Sequence, residues 1–117
     1  MADDTIFHRI MRREIPADIV HEDAHLIAFR DIAPQAPVHV LFVPKTRIPT
    51  LDDLTPAQAE TVGRLVVAAA AYARREGLAD DGYRMVMNCN DYGGQTVFQL
   101  HLHLLAGAPL GRFGTPG

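Results

Sequence analysis

The sequence predicts an α+β domain built on a mostly antiparallel sheet of about five strands, with one long and one short helix. Three observations predict it. Apolar residues at helical spacing form one long stripe between Val62 and Ala73. Short apolar runs bounded by turn residues read as strands. A chain of 117 residues, 48% hydrophobic and 21% charged, has room for one core and little more, so 1–117 is read as a single domain.

In chain order, a short helix is expected to start near Asp4, whose carboxylate can accept from free N–H groups, and to bury Phe7, Ile10 and Met11 before Ile15-Pro16 ends it. Ile19-Val20-His21 and Leu26-Ile27-Ala28-Phe29 flank the turn-like Glu22-Asp23 and read as an antiparallel hairpin. Val38 to Val43, nearly all apolar between Pro37 and Pro44, reads as a central strand. Thr55-Pro56-Ala57-Gln58 has the form of a capping box with proline at the first helical position. The stripe that follows is Val62, Leu65, Val66, Ala69 and Ala73, and Gly77 supplies a left-handed stop. Tyr83 to Asn88 and Thr96 to Leu105 complete the sheet, joined by a Gly-rich loop over 89–95. The tail 108–117 carries Pro109, Gly111, Gly114 and Pro116 and is expected to be irregular, leaving a core of about 5–107.

Eleven Lys and Arg against 14 Asp and Glu give a formal charge of -3, so no basic field exists to hold bulk nucleic acid. A single nucleotide is still allowed, because backbone N–H groups and one or two cations suffice for a small phosphate. The lone Cys89 cannot close an internal disulfide, the start Met1-Ala2-Asp3-Asp4 is acidic, and no apolar run reaches the ~20 residues that span a bilayer. The expectation is a soluble cytoplasmic protein with no membrane partner.

The chemistry is concentrated late in the chain. Along Gln99-Leu100-His101-Leu102-His103-Leu104-Leu105, alternation puts Gln99, His101 and His103 on one face and the leucines on the other. A single such histidine would be an ordinary surface residue. Two of them beside a Gly-rich loop suggest either a pair of metal ligands or an imidazole nucleophile with a proton-handling neighbour, and the spacing alone leaves both open.

The stretch Gly94-Gln95-Thr96-Val97-Phe98-Gln99-Leu100-His101-Leu102-His103-Leu104-Leu105 resembles the signature of the histidine triad superfamily, whose motif is His-φ-His-φ-His-φ-φ with φ apolar. Phe7 through Pro16, Phe29 through His39, Phe42-Val43-Pro44-Lys45 and Gly82 through Asn88 are similar to the Hint branch in order and spacing. The resemblance implies the superfamily's fold, with the sheet extended across a homodimer. It also implies hydrolysis of purine nucleoside phosphoramidates or related nucleotidyl conjugates through a nucleotidyl-histidine intermediate, without a cofactor. By the same resemblance, His101 is the nucleophile, His103 donates to a phosphate oxygen or orients His101, and His39 relays protons. Asp31 falls on the ribose-binding carboxylate. Asn88, Gly94, Gln95, Thr96 and Gln99 fall at positions near ribose or phosphate, and Phe7, Ile10, Phe29, Ile32 and Leu41 at the purine wall.

The first triad position is Gln99, not histidine. In zinc-bearing members, as the resemblance has it, that position joins three others in holding a structural metal; here the four are Thr5, His8, Arg47 and Gln99, of which only His8 is a zinc ligand. No metal is therefore expected. His8, His21 and His25 read as surface residues. Three other readings compete with the phosphoramidase: a dinucleoside polyphosphate hydrolase, a nucleotide-binding interaction module with vestigial catalysis, and a His-based metal-binding domain.

Overall fold

The computed structural model describes residues 4–113. Helix α1 (Ile6–Met11) precedes a hairpin of β1 (Ile19–Glu22) and β2 (Leu26–Arg30), followed by β3 (Val38–Pro44). Two 3-10 turns, Leu51–Asp53 and Pro56–Gln58, lead into the long helix α2 (Ala59–Arg75), and β4 (Arg84–Val86) and β5 (Leu102–Ala106) close the sheet. All neighbouring strands are antiparallel, in the order β1-β2-β3-β5-β4. The α+β class and the central place of β3 are as expected.

β3 is central because it is covered on both faces. Val40 and Phe42 pack with Leu65, Ala69, Tyr72 and Ala73 of α2 and with Leu100, Leu102 and Leu104. Leu41 and Val43 alternate to the opposite side and meet Phe7 and Ile10 of α1, Ile27 and Phe29. This period of two assigns each β3 side chain to one of two apolar layers. Burying a residue such as Leu65 completely contributes ~2 kcal/mol, so the α2 layer is the main source of cohesion.

Local chemistry corrects several expected boundaries. Thr5, not Asp4, caps α1: its hydroxyl accepts from the His8 N–H while Thr5 N–H donates to His8 Nδ1 at 3.0 Å. Asp4 instead pairs with Arg12 at 2.7 Å. His8 is thus part of the helix start and only partly exposed, not a free surface residue. In α2 the buried stripe is Leu65, Ala69, Tyr72 and Ala73, whereas Val66 is exposed because it lies ~100° around the helix from Leu65. The helix ends as predicted at Gly77, whose φ of 73° is left-handed.

The largest correction concerns the last strand. β5 begins at Leu102, six residues later than Thr96: its ladder with β3 ends at the Phe42–Leu102 pair, although β3 itself continues to Pro44 against β2. The preceding residues fasten to the 44–48 chain instead, as where Leu100 N–H donates to Ile48 O at 2.7 Å. β4 is likewise shorter than the expected 83–88. Residues 107–113 hold no helix or strand, and the rest of the tail lies outside the described residues, as do Met1 to Asp3. Among the described residues no helix is long and apolar enough to cross a membrane.

Candidate active site

Neighbouring antiparallel strands bring His39 of β3 and His103 of β5 together, since Leu41 pairs with His103 and His39 with Leu105. Their rings meet directly: His39 Nε2 lies 2.8 Å from His103 Nδ1. His101, on the approach to β5, completes the cluster, with ring centroids 4.9 Å from His103 and 4.9 Å from Phe7. The Phe7 ring meets His101 edge-on at 87°, so helix α1 backs the imidazole.

The backbone fixes the tautomer of each ring. Gln35 N–H can only donate, and it does so to His39 Nδ1 at 3.0 Å, which places the proton of neutral His39 on Nε2. That Nε2–H donates to His103 Nδ1, so His103 carries its own proton on Nε2. Gln99 O can only accept, and His101 Nδ1–H donates to it at 2.7 Å, leaving the lone pair of His101 on Nε2. No hydrogen bond of the described residues engages His101 Nε2, and it is not among their buried unpartnered polar atoms, so it keeps contact with solvent.

Burial favours the neutral form of all three rings. Burial lowers the His101 pKa against the opposing pull of Gln99 O and the Asp31 carboxylate. His39 is lowered mainly by burial as well, with Asp31 opposing. His103 falls to about 4 through burial first and then through its positively chargeable neighbours His101 and His39. His39 and His101 are 6% and 9% exposed, so desolvation outweighs the carboxylate. The site therefore presents one lone pair, on His101, beside one N–H donor, on His103. A neutral imidazole so placed is a competent nucleophile toward an electrophilic phosphorus.

Asp31 sits at the rim. Its Oδ1 accepts from Ala33 N–H at 2.8 Å in a side-chain turn, and its Oδ2 faces His39 Nε2 at 3.5 Å. The turn role and the carboxylate near the imidazoles coexist. Asp31, His39 and His103 also offer three ligand atoms within 4.8 Å of one another.

The remaining expected residues divide. Ile32 is 94% exposed beside Asp31, and Thr96 and Gly94 are exposed on the loop before His101. Asn88 is half-buried just after β4. Phe7, Ile10, Phe29 and Leu41 lie in the α1 layer, where Phe7 also touches His101. Two glutamines need correction. The Gln95 amide donates to Pro49 O and Val97 O and accepts from Asn90 N–H, so its side chain staples the loop rather than reaching a nucleotide. Gln99 is fully buried, its amide engaged with backbone groups of 44–48, and it stands behind His101. The N–H groups of Gly94 and Gln95 also close the loop, onto Asp91 O and Asn90 O, and so are not free for a phosphate.

Sequence reasoning did not foresee the parts played by three residues. Gln35 acts through its backbone, which leaves no side-chain signal. Gly93 is required because a Cβ there would stand 2.5 Å from Cys89 O. Arg47 donates to Phe98 O and, at 3.1 Å, to Gln99 Oε1.

The family model of the HIT domain matches residues 12–110. The chain belongs to the HIT family. It is 52% identical over 111 residues to the purine nucleoside phosphoramidase of Escherichia coli K12, covering 95% of this chain and 93% of the relative. Among solved structures, a HIT family hydrolase from Legionella pneumophila superposes with a TM-score of 0.88 at 44% identity, covering 91% of this chain and 95% of that one. A second, from Clostridium thermocellum, gives 0.91 at 40% identity over 96% and 97% of the two chains. The protein is a HIT-family enzyme with that family's fold.

The structural metal that the resemblance assigns to zinc-bearing members does not fit the residues present here. His8 Nδ1 already lies 2.8 Å from the Thr5 hydroxyl, and Gln99 directs its amide N–H groups at Pro44 O and Thr46 O. A guanidinium at Arg47 would repel a cation.

Proposed function

We propose that this HIT enzyme hydrolyses purine nucleoside 5′-phosphoramidates or related nucleotidyl conjugates by way of a nucleotidyl group on His101, releasing the nucleoside monophosphate. The observation that carries this reading is the pairing of an open lone pair on His101 Nε2 with the adjacent His103 Nε2–H. The relationship to a purine nucleoside phosphoramidase supports the substrate class.

In the first step the His101 lone pair forms an N–P bond. The bond from phosphorus to the leaving amine breaks, and its electron pair stays on the amine nitrogen. That nitrogen takes one proton from the His39–His103 pair, which gains the proton when the phosphate anion offsets the burial that otherwise keeps it neutral. The imidazolium formed at His101 keeps Nδ1–H on Gln99 O, a charge-assisted bond stronger than the one it replaces. In the second step water attacks phosphorus, the N–P electron pair returns to His101 Nε2, and the water proton returns to the pair. One proton is borrowed and one restored.

The ribose hydroxyls would lie on Asp31, with the base against exposed Ile32 and the phosphate near Thr96 and Asn88. The active form is a homodimer of the cytoplasm, its sheet extended through one of the edge strands, β1 or β4. The test is release of AMP from adenosine 5′-phosphoramidate, set beside diadenosine polyphosphate at equal enzyme. Preferential cleavage of the phosphoramidate supports the reading. Preference for the polyphosphate, or tight AMP binding without turnover of either, overturns it.

A further inference from the structure

Behind the nucleophile lies a polar knot in an otherwise apolar layer. Gln99 is 0% exposed, and a buried primary amide is costly unless its groups are paired. Here both N–H groups donate, to Pro44 O at 2.9 Å and Thr46 O at 2.8 Å. Its oxygen accepts from Ile48 N–H at 3.2 Å and from Arg47 Nη1 at 3.1 Å. The same guanidinium nitrogen also donates to Phe98 O, the carbonyl immediately before Gln99. Gln99 is thus held from its side chain and from the preceding peptide at once. Its own carbonyl is the group that fixes His101 Nδ1–H.

We propose that Gln99, clamped by Arg47 and the 44–48 chain, is a positioning residue that fixes the His101 tautomer and aims its Nε2 lone pair. This deepens the phosphoramidase reading and rests on it for its kinetic consequences. The device is metal-free: the four positions Thr5, His8, Arg47 and Gln99 form hydrogen bonds where zinc-bearing relatives, by resemblance, place an ion. Thr5 and His8 pair with each other at the start of α1, the helix whose Phe7 backs the His101 ring. The segment before β5 makes no sheet ladder of its own, and the clamp holds it together with the Leu100 N–H bond to Ile48 O.

The test uses the full chain with Arg47→Met, which removes the guanidinium donors, and Gln99→Met, which keeps length and apolar volume but removes the amide. Nitrogen NMR of labelled histidine reports the His101 tautomer without reference to activity. In the unaltered protein His101 should be protonated at Nδ1 alone. In Arg47→Met a second, Nε2-protonated population should appear, with kcat on adenosine 5′-phosphoramidate reduced about tenfold and KM within about twofold. Should Gln99→Met not fold, Arg47→Met alone decides. A single unchanged tautomer and unchanged kcat in a folded Arg47→Met overturns the proposal while leaving the phosphoramidase reading intact. If the unaltered enzyme turns over no phosphoramidate, that reading fails, and the tautomer shift still tests the clamp.

Discussion

His39 Nε2 donates to His103 Nδ1 across 2.8 Å, and this bond places the His103 proton on Nε2. Because Gln35 N–H occupies the far nitrogen of His39, the order of donors runs Gln35 to His39 to His103, and ends on a His103 N–H with no partner in the described residues. Two β-strands and one loop amide suffice to orient it.

A first prediction concerns that bond directly. His39→Ala removes the donor that holds His103 in one tautomer, so kcat should fall by about 10²-fold while KM changes by less than about threefold. Steady-state kinetics on adenosine 5′-phosphoramidate check it, with thermal denaturation confirming the fold.

A second prediction concerns acid stability. Burial lowers the folded-state pKa of His103 from 6.5 to about 4, and lowers His39 and His101 in the same direction. Between these values the unfolded chain binds more protons than the folded one, so stability is full above pH 6.5 and is lost as pH falls toward 4. For His103 alone the loss is at most about 3 kcal/mol. Urea midpoints at pH 7.5 and pH 4.5 should differ accordingly; a His103→Gln variant should lose less than the parent. The same lowering keeps His101 nucleophilic on the acid side, so the acid limb of kcat/KM should lie below 6.5.

Asp31→Asn separates the two roles of that side chain. The amide oxygen can still accept from Ala33 N–H, so the turn and the melting temperature should persist. Removing the charge should raise KM for ribonucleotide substrates by about tenfold and shrink their advantage over 2′-deoxy analogues, measured by competition.

The loop before His101 should be intolerant of bulk at one position. Gly93→Ala places a methyl 2.5 Å from Cys89 O, and backbone cannot yield cheaply there. A destabilisation of ~1–3 kcal/mol is expected, read by chemical denaturation, together with reduced kcat.

Much of this was legible beforehand. The alternating leucines at 100, 102 and 104 fix which side of the strand is core, and so place His101 and His103 opposite α2. β3 was readable because a strand covered on both faces is apolar throughout. The extent of β5 was not, because the alternation continues upstream of Leu102 while the chain there leaves the ladder and bonds to the segment after β3, as Leu100 N–H does to Ile48 O. Gln95 and Gln99 misled for a related reason: a polar residue beside a site reads the same whether its amide faces the ligand or the chain behind. Val66 shows the limit of a helical stripe read by spacing, since Tyr72 took the place in the core. The resemblance groups Arg47 with Gln99, but the hydrogen bond from its guanidinium to the Gln99 amide oxygen emerges only in the fold.

The proposed nucleotidyl-histidine intermediate requires a bond between His101 Nε2 and phosphorus during turnover. Enzyme quenched in alkali, where a phosphorus–nitrogen bond on imidazole persists, should gain one nucleoside monophosphoryl group, and peptide mapping by mass spectrometry should place it on His101. His101→Asn should show neither adduct nor turnover. An adduct on any other residue, or an active His101→Asn enzyme, would contradict the account.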